Sequence, residues 1–164
     1  MLQKAHEIYG QENGLMNIDL QQSLLARMRP CIDAAFAQEH ISEIMEALNK
    51  ESRPEFKEFA TSTLATMRKR SPLLMQVSLK AIRRAKNMTL AQALRMERNL
   101  VRRTFEHGEV IEGVRALVID KDHAPRWKPA QIDQVSDAMV EHFFSPCWPA
   151  SMHWTRSVPK ACAP

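Results

Sequence analysis

The stretch "PEFKEFATSTLATMRKR" sets Phe56, Phe59, Ala60, Thr63, Leu64 and Met67 at i, i+3, i+4 spacing, which makes one apolar stripe on a helix. Pro54 suits the first helical position, and Arg68, Lys69 and Arg70 crowd the last turn, where cations favour the helix dipole. The pattern restarts at once. Ser71 is an N-cap with Pro72 at N1, and Leu74, Val77, Ala81, Ile82 and Ala85 are expected inward. Asn87 is placed to end this helix in the left-handed conformation. Thr89 then caps "LAQALRMERNLVRRTFEH", with Leu90, Leu94, Val101 and Phe105 on the expected inner face and Gly108 closing it. Glu97 falls on that apolar stripe, so burial would require a partner, an arginine being the natural one.

Next comes "EVIEGVRALVIDKDHAPRWKP". Glu109 and Glu112 stand in a first turn, where negative charge is favoured, and Val110, Val114, Leu117 and Val118 share a face. Gly113 and Ala116 allow a neighbouring backbone to approach. Asp120, Lys121 and Asp122 end the helix, and "HAPRWKP" is expected extended because residues before proline avoid the helical region. Ser136 caps a last helix, "SDAMVEHFF". Towards the N-terminus the signal weakens. Residues 1–18 read as a loose arm, and Asp19 as the N-cap of "DLQQSLLARM", punctuated by Pro30. "CIDAAFAQEHISEIMEALNKE" gives one long helix or two short ones, with Ile32, Phe36, Ile44 and Leu48 inward. The expectation is an all-α chain of about six helices, with no strand and no internal repeat.

Composition agrees. Of 164 residues, 45% are hydrophobic and 26% charged, a globular balance; only 4 are Gly and 10 are Met. The net charge of +4 is too small to imply nucleic acid. Cys31, Cys147 and Cys162 are an odd number at wide spacing and are read as reduced thiols. No apolar run reaches a membrane span's ~20 residues. The N-terminus lacks the apolar core of a signal peptide.

Candidate chemistry is sparse. The six histidines make no helical metal pair, and neither a nucleophile elbow nor a phosphate loop is present. With Gly only at 10, 14, 108 and 113, a glycine-lined oxyanion hole is hard to build. Arg68, Lys69, Arg70, Lys80, Arg83, Arg84 and Lys86 form either a solvated helix face or a contact for phosphate groups, an acidic partner or RNA. Asp120, Lys121, Asp122, Arg126 and Trp127 form a compact polar group. It is either a helix end with local ion pairs and a core-plugging Trp, or a ligand contact through Lys121 or Arg126.

"RSPLLMQVSLKAIRR", "LAQALRMERNLVRR" and "EGVRALVIDKDHAPRWKPAQIDQV" together resemble the C-terminal region of the 3-hydroxyisobutyryl-CoA hydrolases, in the crotonase (enoyl-CoA hydratase/isomerase) superfamily. The most specific blocks are Glu112-Gly113-Val114-Arg115-Ala116, then Asp120-Lys121-Asp122, then Pro125-Arg126-Trp127 and Pro129. Leu73-Leu74-Met75-Gln76 departs from the family's Thr-Ser-Leu-Lys, and Val110 from its usual aromatic.

The resemblance divides the chain into an arm and helix over 1–29, a hydrolase-like helical region over 30–145 and an irregular tail over 146–164. It implies CoA-thioester hydrolysis in valine breakdown. It also implies that the family's catalytic strands, glycine-rich loop and acidic residues are missing here, so this chain alone would be inactive. Lys121, one residue out of register, is the counterpart of a lysine that approaches CoA, and Lys121 and Arg126 become candidate CoA-phosphate contacts. No catalytic residue, metal or resident cofactor is assigned. The expected partners are a CoA thioester in a complete protein, a second copy or a chain bearing the core. Membrane and nucleic acid are not expected partners. The compartment would be the cytoplasm or the mitochondrial matrix. The alternative is a non-enzymatic helical interaction module that binds a partner or RNA through its basic face.

Overall fold

The computed structural model describes residues 23–148, and the readings of the 1–18 arm, the Asp19 cap and the tail from residue 149 lie outside them. Seven α-helices, one π-helical turn and one 3-10 turn make up the described regular structure, with no strand among the described residues. The helices are α1 (Leu24–Phe36), α2 (Ile41–Asn49), α3 (Pro54–Met67), α4 (Pro72–Ala85), α5 (Leu90–His107), α6 (Glu109–Val114) and α7 (Asp137–Phe144). The chain divides into two compact units. One takes in residues up to 39 and 43–66, the other residues 40–42 and everything from Met67.

In the first unit, Ser23 Oγ accepts the Ala26 N–H and so caps α1. The helix then runs through Pro30 instead of stopping there. Residues 37–40 break the second stretch into two helices. Cys31, Ala35, Ile44, Leu48, Phe56, Ala60 and Leu64 are buried, so the stripe read on α3 is covered. Phe36, expected inward, is exposed. Burial, then the hydrogen bond to Glu51, pushes the Cys31 thiol above its ordinary value.

In the second unit, α4 and α7 supply a core of Leu73, Val77, Val140 and Phe143, with Leu74, Leu100, Val135 and Met139 packed against it. The expected caps form. Ser71 Oγ accepts the Leu74 N–H, Thr89 and Gln92 make a reciprocal capping box, and Ser136 Oγ accepts the Met139 N–H. Gly108 ends α5 in the left-handed region at φ 93°. Asn87 does not take that role, because α4 ends on right-handed Lys86. Ile82 is 72% exposed and fully buried Leu73 takes the inward place, a shift of the packed face around α4.

The larger correction concerns α5 and the helix after it. Leu90, Leu94, Val101 and Phe105 are all more than half exposed, as are Ile111, Leu117, Val118 and Ile119. Glu97 is therefore also exposed and needs no partner. The stripe exists in the sequence, but nothing among the described residues covers it.

Candidate functional site

The polar group of the 109–129 segment is organised by one arginine. Beyond α6 the helix widens into a π turn, Arg115–Ile119, closed by the Asp120 N–H donating to the Arg115 carbonyl at 2.8 Å. The chain leaves that turn through Lys121 and His123, both at positive φ (55° and 53°), a conformation uncommon for residues with a Cβ. This exit curls Asp120 and Asp122 back over the helix. The Arg115 guanidinium donates to Glu112 (2.7 and 2.9 Å), Asp120 (2.6 Å), Asp122 (2.7 Å) and the Ala124 carbonyl (3.2 Å). Three carboxylates around it hold Arg115 well above its ordinary pKa, the Glu112 hydrogen bond contributing most.

Glu109 and Glu112, one turn apart, hold the extended segment by its backbone. Glu112 Oε1 accepts the Arg126 N–H at 2.7 Å, and Glu109 Oε1 accepts the Lys128 N–H at 3.0 Å. Between them Trp127 lies against Gly113, where an added Cβ would sit 3.3 Å from Trp127 Cη2, and the indole N–H donates to the Lys69 carbonyl at 3.2 Å. Gly113 is thus the close-approach residue, and what approaches is an aromatic ring. Trp127 is half-buried and is not a core plug.

The structure brings Asp120 and Asp122 together on Arg115 and ties Arg126 in through its backbone. The side chains of Lys121 and Arg126 are not joined. Both residues are exposed and form no ion pair among the described residues. In the sequence Arg115 stands out only as part of the Glu112–Ala116 motif. The Glu112–Arg115 spacing of three was the available sign of its role. Buried Glu109, read as a dipole-favouring first-turn charge, also went unrecognised as an anchor.

The basic cluster is partly spent. Lys80 and Arg84 both pair with Glu141, and the Arg84 guanidinium stacks 4.1 Å over the Phe144 ring. Arg68, Lys69 and Arg70 lie past the end of α3. Among the described residues, no group of three His, Cys, Asp or Glu could hold a metal ion, and no helix is long and apolar enough to cross a membrane.

Comparison with known proteins identifies the family. A family model described as enoyl-CoA hydratase/isomerase matches residues 3–144, reaching well into the arm that the quoted motifs do not touch. The mitochondrial 3-hydroxyisobutyryl-CoA hydrolase of Gallus gallus is 36% identical over 115 residues, 70% of this chain but only 29% of that protein. The small ribosomal subunit protein mS47 of Arabidopsis thaliana is 34% identical over 119 residues, again 70% of this chain and 29% of that one. The crystal structure of a carnitinyl-CoA dehydratase from Mycobacterium thermoresistibile matches with a TM-score of 0.69 and 30% identity, over 77% of this chain and 35% of that one. The chain therefore belongs to the enoyl-CoA hydratase/isomerase family, where it is similar to the 3-hydroxyisobutyryl-CoA hydrolases over less than half of their length.

Proposed function

We propose that the chain supplies the helical C-terminal part of a 3-hydroxyisobutyryl-CoA hydrolase-like protein, acts on CoA thioesters of valine breakdown, and does not hydrolyse them alone. The observation that carries this reading is the apolar face running from Leu90 on α5 to Ile119 at the end of the π turn, uncovered among the described residues. Exposed large apolar side chains grouped on successive elements in this way mark a contact with further protein. In the complete catalyst, water activated by a carboxylate attacks the thioester carbonyl, backbone N–H groups hold the oxyanion, and the CoA thiolate leaves. The scarcity of glycine supports placing that machinery outside this chain. Lys121 and Arg126, exposed and without ion pairs among the described residues, are proposed contacts for the CoA phosphates. That the Gallus gallus relative is a mitochondrial protein supports the mitochondrion over the cytoplasm as the compartment.

The test is hydrolysis of 3-hydroxyisobutyryl-CoA by the purified chain, followed by thiol release. The expected result is no turnover alone, and turnover when a core-bearing chain of the family is added. Robust turnover by the chain alone would overturn the reading.

A second reading, a non-enzymatic module, has one observation in its favour: the relative that is a small ribosomal subunit protein. It calls for RNA binding that falls steeply with salt. The pairing of Lys80 and Arg84 with Glu141 removes two cations from the face it would use.

A further inference from the structure

A groove of about 670 Å³ lies between α1 and α3, within the first unit. That is the size of a small-molecule site, which is mostly apolar with a few polar groups that fix the ligand. Helical spacing shows which side chains line it. Leu24, Arg27 and Met28 stand at i, i+3, i+4 on α1, and Glu55, Glu58, Phe59 and Ser62 at i, i+3, i+4, i+7 on α3. Each set is one face of its helix, so both walls meet the groove with side chains and not with backbone. The body of the groove is apolar, with Leu24 and Met28 on the α1 wall and Phe59 and buried Phe56 on the α3 wall. The polar groups of the α3 wall are all acceptors. Glu58 makes no hydrogen bond or ion pair among the described residues, and Glu55 adds a second carboxylate three residues earlier. One turn beyond Glu58, the Ser62 hydroxyl donates its proton to the Phe59 carbonyl at 3.0 Å, which leaves only its lone pairs for a ligand. Across the groove the side-chain donor is Arg27, which also makes no side-chain bond among the described residues.

We infer that this groove binds an apolar primary amine in its ammonium form, its hydrocarbon body against Met28 and Phe59 and its NH3+ donating to Glu58 and Ser62 Oγ. An ammonium has three donors and no acceptor, which matches a wall of acceptors. From Glu55 to Ser62 that wall is about 10 Å long at ~1.5 Å per residue, the reach of a phenyl ring with a butylamine tail. A neutral alcohol of the same shape forgoes the charge. An anion meets two carboxylates against one guanidinium. The inference is independent of the hydrolase reading, because the same wall repels CoA phosphates.

Ligand-observed saturation-transfer NMR on the full chain tests it, using 4-phenylbutylamine, 4-phenylbutanol, 4-phenylbutyrate and butylamine. Phenylbutylamine should bind about three- to fivefold more tightly than the alcohol, the worth of one exposed ion pair, and phenylbutyrate more weakly than either. Butylamine, which lacks most of the apolar body, should give no transfer. Glu58→Gln removes the charge from an exposed side chain without bonds, and should bring the amine down to the level of the alcohol. Arg27→Gln removes the opposing cation, and should tighten the amine and weaken phenylbutyrate further. Leu94→Lys should leave the amine signal intact, which separates this groove from the exposed apolar residues of α5. Equal binding of amine and alcohol, indifference to Glu58→Gln, loss of the signal in Leu94→Lys, or no transfer to the amine at ~10 mM would overturn the inference.

Discussion

Arg115 sits where three carboxylates converge, and the acid sensitivity of the site follows from it. The Arg115 hydrogen bonds, then the Arg126 N–H, hold Glu112 down from its ordinary 4.5 to about 2. Arg53, through its side chain and backbone N–H, does the same to Glu51. A carboxylate depressed in the folded state contributes stability that is complete above its unfolded pKa and is lost as pH falls through the folded one. Stability should therefore decline between about pH 4.5 and 2, and Glu112→Gln should flatten that acid limb while lowering stability at neutral pH. Urea melts across that range check both. Gly108 offers a test of backbone strain alone. At φ 93° nothing lies within 4 Å of an added Cβ, so Gly108→Ala should cost about 1–2 kcal/mol through strain without any clash. Gly108→Asn should cost less. Denaturation midpoints of the two variants give the comparison.

The helices themselves were legible because their ends carry short-range chemistry. Ser71, Thr89, Gly108 and Ser136 each punctuate the chain where expected, since a cap depends on only three or four neighbouring residues. Asn87 failed as a cap because a residue that tolerates the left-handed region need not use it. Faces were harder to read. Periodicity identified the stripe Leu90, Leu94, Val101, Phe105, but a stripe records that a helix has an apolar side and not what lies against it. The polar site was half legible. The spacing of Glu112 and Arg115 was visible, while the burial of Glu109 and the anchoring of 126–128 depend on a return of the chain that no local pattern encodes. The distinction between covered and uncovered positions can be measured. Leu73→Ala, at a fully buried position, should cost about 2–4 kcal/mol. Leu94→Ala, 56% exposed, should cost less than about 0.5 kcal/mol. Equal losses at the two positions in thermal melts would show that α5 is covered.

For the whole molecule, the exposed apolar residues of α5, α6 and the π turn set the solution behaviour. The apolar stripe of α3 is buried at Phe56, Ala60 and Leu64 and drops out of this account. The chain should self-associate as its concentration rises. The double substitution Leu94→Lys with Leu117→Lys should shift light scattering toward the monomer without lowering the melting temperature, because both side chains already face solvent. A wild-type chain that stays monomeric over a wide concentration range would contradict this.

The two carboxylates that grip the 126–128 backbone separate scaffold from specificity. At this segment Glu109 and Glu112 grip amide N–H groups, which every residue but proline possesses, so the anchoring does not depend on which side chains stand at 126 and 128. Arg126→Ala and Lys128→Ala should leave the melting temperature within error while changing what the surface attracts. The segment is a mount held by its backbone and by Trp127, on which the side chains at 126 and 128 can be exchanged without renegotiating the fold.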